Sequence, residues 1–259
     1  MDVSHWNLPS GHPYRYDGSL FGGPNLWNPS EITTEAWYDA SALDTITESS
    51  GAVSQWDDLS GNGNHLAQGS VSLKPTTGTA TIGGLNAIDF YANALANASL
   101  PNSIGTYTMS IFMVAEVDSL NNAYMFNLKG TEESYNIVNS TSRMGINYPA
   151  LYTGSTDAHV LSYVLPSARN RQDVWRNGTL AGTSTDIRGT MTSVTELYVG
   201  ARASNGAYAY DGRIGELIFI ESGLSESDRQ KLEGYLAWKW GLEANLPSGH
   251  PYKDTAPTV

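Results

Sequence analysis

One pair of carboxylates, one oxygen-rich loop and two tyrosine-rich segments are the parts of this 259-residue chain whose residue types and spacing could do chemistry. Glu116 and Asp118, in EVDS, stand two apart and so share one face of an extended strand. That is the arrangement in which a nucleophile and a general acid flank a glycosidic bond from about 5 Å apart. Glu216 and Glu221 stand five apart, which sends them to opposite faces of a strand and prevents them from working as a pair. Nucleophilic catalysis lacks its parts. The histidines are His5, His12, His65, His159 and His250, no G-x-S-x-G segment presents a serine, and no glycine loop is shaped for phosphate. The chain is therefore read as not an enzyme. A cation has better prospects: Asp58, Ser60 and Asn62 alternate before Gly63, the opening half of a calcium loop, although Gly69 stands where its bidentate acid belongs. A Ca2+ ion held there would need a further ligand such as Asp57 or Asp211, and the plain alternative is a turn stabilised by Asx hydrogen bonds. For sugars, exposed rings stack while amides and carboxylates take the hydroxyls. Two segments have that composition, INYPALYTGS (146–155) and SNGAYAYDG (204–212), so Tyr148, Tyr152, Asn205, Tyr208 and Tyr210 are candidate ligand contacts. The competing role for each tyrosine is a half-buried loop anchor.

These residues need a scaffold. With 26 Gly, 15 Tyr, 7 Trp and only 15% charged residues, the composition favours strands and tight turns over helices. Strands are expected at 35–40, 86–91, 106–117, 159–165, 171–176, 179–184, 196–201 and 213–221. The run TYTMSIFMVAEV is apolar on both faces, as a central strand should be. Asn177-Gly178 predicts a two-residue hairpin, because such a turn needs positive φ at both positions. One helix is expected within LSESDRQKLEGYLAWKWGL, capped by Ser225, with Leu232, Tyr235, Leu236 and Lys239 on one stripe and Gly241 as its stop. Trp238 and Trp240 are expected to lock the helix and the segment after it onto the sheets, their indole N–H groups requiring partners. Cysteine is absent, so no disulfide contributes and stability must come from packing.

Residues 52–68, the NAIDFY strand, 173–184, 197–242 and the closing LPSGHPYK together resemble the laminin-G-like branch of the concanavalin A-like lectin and glucanase superfamily. The resemblance covers residues 35–253 and is most specific from Tyr210-Asp211-Gly212 to Pro251-Tyr252. It implies an all-β fold, a two-sheet antiparallel jelly-roll sandwich with one C-terminal helix, preceded by an extended arm (1–34) and followed by a tail (254–259). Glucanases of that superfamily carry a third acid on the strand that bears the pair, and EVDS lacks it. Modules with these endings are common in bacteriophage structural proteins and bacterial surface proteins, often in tandem.

The segment NLPSGHPY occurs twice, at 7–14 and at 245–252. Against on the order of 10⁴ window pairs, an eight-residue identity is not a chance event. The first copy resembles the end of a preceding module kept as an arm. Its Trp6, Leu8, His12 and Tyr14, with Phe21 and Trp27, are the expected assembly residues, joining copies of the chain into a homo-oligomer. The net charge of −12 argues against nucleic acid and anionic lipid as partners, and no apolar run suits membrane insertion. The opening residues show no secretory signal, so the first expectation is a virion component assembled in the host cytoplasm, a capsid decoration or fibre protein contacting other virion proteins or a cell-surface glycan. The alternatives are a carbohydrate-binding adhesin module at the cell surface and, third, a diverged glycan-cleaving enzyme.

Overall fold

A computed structural model describes residues 26–97, 108–120, 123–130, 134–139, 155–166, 171–185 and 194–259. Along the chain the strands are β1 (Ala36–Asp39), β2 (Ile46–Ser49), β3 (Ala52–Trp56), β4 (Leu66–Ala67), β5 (Thr81–Ile82), β6 (Leu85–Asn86), β7 (Ile88–Tyr91) and β8 (Leu95–Asn97). They continue with β9 (Met109–Val117), β10 (Ala123–Gly130), β11 (Ser134–Asn139), β12 (His159–Leu165), β13 (Gln172–Arg176), β14 (Thr179–Ser184), β15 (Val194–Val199) and β16 (Asp211–Ile220). Helix α1 (Glu226–Lys239) follows the last strand.

Two antiparallel sheets form a sandwich, as expected. The first runs β1-β16-β9-β12-β13-β14, with β7 also paired to β16; the second runs β11-β10-β15-β8-β4-β3-β2; β5 and β6 make a separate hairpin. Between the sheets, Met113, Leu217 and Phe219 of the first meet Phe126, Leu197 and Val199 of the second. The first sheet is apolar on its other face too. There Trp37, Phe112, Val160 and Ile218 pack under Leu232, Tyr235, Leu236 and Trp240 of the α1 segment. Burial on both faces is why β9, β12 and β16 read as largely apolar runs rather than as alternating ones.

Asn177 (φ 49°) and Gly178 (φ 73°) turn β13 into β14 as the Asn-Gly pair predicts. In α1, the Ser225 hydroxyl accepts the Asp228 N–H at 3.2 Å, capping the helix at its expected start. The second NLPSGHPY copy lies in a groove between α1 and that hairpin. Leu246 and His250 are buried, Trp238 Nε1 donates to the Tyr252 carbonyl at 2.8 Å, and His250 Nε2 lies 3.3 Å from the Glu233 carboxylate. A Cβ at Gly234 would stand 2.6 Å from the Tyr252 Cβ, so only glycine lets the segment seat.

The arm needs a correction at its end. Trp27 is buried against Tyr235 in an edge-on contact with ring centroids 6.1 Å apart, and its backbone N–H donates to Pro257 O at 3.0 Å. Its ring is spent within its own domain rather than on a neighbouring copy. Trp6, Leu8, His12, Tyr14 and Phe21 lie outside the described residues. Among the described residues no helix is long and apolar enough to cross a membrane.

Candidate functional site at one end of the sandwich

β7, β9 and β15 end, and β10 and β16 begin, at the same end of the sandwich. The β15–β16 connection folds over this end because its own hydrogen bonds fix it. Gly200 N–H donates to Met125 O at 3.1 Å, Tyr124 N–H to Tyr208 O at 2.9 Å, and Tyr210 N–H to Gly200 O at 2.7 Å. Side chains beneath tie it down further: Asn127 Nδ2 reaches Arg202 O at 2.8 Å and Gln68 Nε2 reaches Ser204 O at 3.2 Å. The buried Asn127 Oδ1 has no partner.

On this frame Tyr208 is held at φ 54°, a left-handed conformation that costs a non-glycine residue on the order of 1 kcal/mol, and its side chain is 58% exposed. The Arg202 guanidinium lies 4.6 Å from its ring centroid and the Tyr124 ring 5.8 Å away. Asn205 is exposed beside it, its Oδ1 accepting the Ala207 N–H at 3.1 Å. Tyr210, expected as a ligand contact, is fully buried: it packs on Phe90 and donates its hydroxyl to Glu116 O at 2.6 Å. The competing role of anchor is the one it fills. Tyr148 and Tyr152 lie outside the described residues.

Around the corner of the same end, Tyr91 is 75% exposed and stands opposite Asp211 in the β7–β16 ladder. Two residues on, Asp89, Arg213 and Glu116 form a row across three strands. Arg213 binds Glu116 at 2.9 Å and Asp118 at 3.5 Å, so the two acids whose spacing would suit a glycosidase pair are engaged by a shared guanidinium. Burial opposes the charge on Arg213, yet the Glu116 hydrogen bond and the surrounding carboxylates raise its pKa further. Asp89 is raised from the usual carboxylate range, chiefly by burial, with Arg213 opposing and Asp118 and Asp211 adding to the rise. A shallow pocket of about 340 Å³ lined by Thr79, Ala80, Thr81, Asp89 and Arg213 continues this surface. Sequence reasoning missed Tyr91 and Asp89, because NAIDFY reads as plain strand until its pairing puts Tyr91 at an edge.

The residues proposed for calcium are not assembled. Asp58 Oδ1 accepts the N–H groups of Trp37 and Ser60, both at 2.9 Å, while Oδ2 accepts the Ser60 hydroxyl at 2.7 Å and the Asn64 N–H at 3.0 Å. Four donors from its own chain leave that carboxylate engaged in the Asx turn that was the plain alternative. Asn62 points its amide at Thr34 O and Glu35 O. Asp211 belongs to the other end of β16, roughly 20 Å away at about 3.3 Å per residue. Among the described residues no group of three or more His, Asp or Glu side chains is placed to hold a metal ion. Glu216 is sealed beneath α1, out of reach of any substrate.

No family model matches the chain, and no curated protein matches it in sequence. Solved structures do match in fold. Domain 4 of AbnA, an extracellular arabinanase from Geobacillus stearothermophilus described in complex with arabinotriose, aligns at TM-score 0.54 with 13% identity, over 78% of this chain and 98% of that one. An α-L-arabinofuranosidase aligns at 0.53 with 14% identity over 73% and 51%. A Trypanosoma rangeli sialidase in complex with the inhibitor DANA aligns at 0.51 with 11% identity over 79% and 32%. The chain spans only 26% of the length of the NanB sialidase structures it also matches. The fold is thus a two-sheet β-sandwich shared with these domains.

Proposed function

We propose that this chain is a noncatalytic carbohydrate-binding module of an adhesin or other surface protein, holding a glycan along the sandwich end between Tyr208 and Tyr91. The observation that carries this reading is the meeting, at one end, of the two exposed tyrosines with hydrogen-bonding side chains between and beside them. Tyr208 is held in a strained backbone conformation by a loop tied to two strands, and strain kept on an exposed ring points to use rather than packing. Rings supply stacking platforms, while Asn205, Arg202, Asp211, Asp89 and Arg213 supply donors and acceptors for hydroxyls. The likeness to the AbnA domain supports the reading, because that domain is described with an arabino-oligosaccharide bound and is matched over almost its whole length. Engagement of Glu116 and Asp118 by Arg213 supports a noncatalytic role.

A glycan array followed by calorimetry on its best oligosaccharide tests the proposal. Tyr208→Ala and Tyr91→Ala should each weaken binding about 10-fold, the loss of one stacking contact of about 1.5 kcal/mol, with melting unchanged. A blank array, or full affinity in the double variant, overturns it.

The duplicated NLPSGHPY favours a second setting for the same module, a laminin-G-like decoration or fibre component of a virion joined through its arm. Light scattering on a chain lacking residues 1–24, which spares Trp27, separates the two: an oligomer that becomes monomeric supports arm-mediated assembly, and unchanged mass removes it.

A further inference from the structure

Beneath α1 lies a cluster that ligand binding does not use. Asp39 and Glu216 are direct cross-strand partners in the β1–β16 ladder, and Lys239, from the last turn of α1, reaches both of them. Its Nζ lies 2.5 Å from Asp39 Oδ2 and 2.8 Å from Glu216 Oε2, and all three side chains are fully buried. Trp37, Tyr235 and Trp240 wall the cluster, each of them fully buried as well. Two carboxyls and one amine would leave a net negative charge in a dry site, a costly state unless one proton stays on a carboxyl. Burial raises the pKa of Glu216, with Lys239 opposing and Asp39 adding to the rise.

The Asp39 carboxyl is oriented. Its Oδ1 accepts both the Ser41 N–H at 2.9 Å and the Ser41 hydroxyl at 2.7 Å, the two-donor arrangement that stabilises charge developing on a carbonyl oxygen. Its Oδ2 faces the amine. Glu216 is oriented too, its Oε1 accepting Trp37 Nε1 at 2.7 Å and the Tyr235 hydroxyl at 2.9 Å, and its Oε2 accepting Trp240 Nε1 at 2.8 Å. An amine against a polarised carboxyl, with a second carboxyl touching the amine and water excluded, is a set-up for condensation.

The geometry points to a self-formed amide bond between Lys239 Nζ and Asp39 Cγ, with Glu216 as the proton carrier. Glu216 takes a proton from the Lys239 ammonium, the amine so freed attacks Cγ of the Asp39 carboxyl that carries the one retained proton, and negative charge gathers on Oδ1 between the two Ser41 donors. Glu216 returns that proton to Oδ2 and takes a second from Nζ; the Cγ–Oδ2 bond breaks, one water leaves and Glu216 ends protonated. Amine plus carboxylic acid gives amide plus water, with no oxidant, reductant or cofactor. The product holds β1 to the end of α1 across most of the chain, a covalent staple in a protein that has no cysteine. It also removes the buried charges on Lys239 and Glu216. Proximity is the main driving effect, since two groups held in contact react as though at very high concentration.

Intact mass spectrometry of the purified, denatured full-length chain tests this. The expected mass is about 18 Da, one water, below that of the sequence, with a branched peptide joining the Asp39 and Lys239 segments after proteolysis. A full sequence mass overturns the proposal, and so does a lighter mass with no such branched peptide. Glu216→Gln should restore the full mass in a chain whose circular dichroism is still that of a folded β protein. A folded Glu216→Gln chain that still lacks the water overturns the part assigned to Glu216.

Discussion

The two sheets share a core but differ in what they meet on the far side. The first is covered by α1, by Trp27 and by the closing NLPSGHPY segment, so its outer face is built of large apolar groups around the Asp39–Glu216–Lys239 cluster. The outer face of the second carries a row formed by pairing across successive strands, Asn127, Tyr198, Ala96, Ala67, Gln55 and Thr47. Within that row Asn127 and Tyr198 are buried, Asn127 holding Arg202 of the β15–β16 connection, while Ala67 and Thr47 are exposed. Where a sheet is covered, a polar group must be fully partnered and so becomes a structural knot; where it is open, polar groups keep capacity for a ligand. The candidate site stands at the end where the two regimes meet.

The hardest test of that contrast is to leave the covered face with unpaired charge. Lys239→Ala strands two carboxyls in a dry pocket and should cost about 3–5 kcal/mol, or more if the amide bond is present. Urea unfolding reads this directly, and a loss below about 1 kcal/mol would mean that the cluster is not sealed as described. Trp27→Ala should cost about 3 kcal/mol by emptying the space against Tyr235, and would show by melting temperature that the residues before Thr34 belong to the core.

A pH titration probes the first sheet from its inner side. His159, buried at the start of β12, has its pKa lowered to about 4, burial being the main cause and its contact with the Asp157 carbonyl opposing. The folded state therefore holds the imidazole neutral while the unfolded chain takes up a proton near pH 6.5. Between about pH 6.5 and 4 the unfolded state binds more protons, so stability is complete above that window and falls through it, by about 3 kcal/mol in all. His159→Phe should flatten this part of the profile, and an unchanged profile would assign the acid loss to other groups.

Every strand of the first sheet was legible in the sequence, because two buried faces write an apolar run and the Asn177-Gly178 turn marks a hairpin. Of the second sheet only β15 was read. Strands such as β4 and β8 have two and three residues, and β2, β3 and β10 carry register shifts that break the alternation a reader looks for. The site was legible in part for a related reason. Loop composition picked out Tyr208 and Asn205, but composition treats Tyr208 and Tyr210 alike, and only the strand that receives Tyr210 turns it into the core. Asp58 looked like a cation ligand because an Asx turn and a calcium loop place the same oxygens at the same spacing; the partners that decide between them, Trp37 and Asn64, bind through backbone N–H groups that a sequence pattern does not show.

The smallest predicted effect is the most diagnostic for the open side. Tyr208 adopts a left-handed backbone that glycine tolerates freely, and its exposed ring contributes little burial. If Tyr208 were a structural anchor like Tyr210, Tyr208→Gly would destabilise by several kcal/mol through lost packing, as removal of a buried aromatic does. A ring kept for a ligand makes the opposite forecast: relief of strain offsets the lost contacts with Arg202 and Tyr124, leaving stability unchanged or raised by up to about 1 kcal/mol while glycan affinity falls. Urea unfolding and calorimetry on the same preparation read both quantities. A fall in stability with affinity intact would move Tyr208 into the class of Tyr210 and transfer the search for a stacking platform to Tyr91.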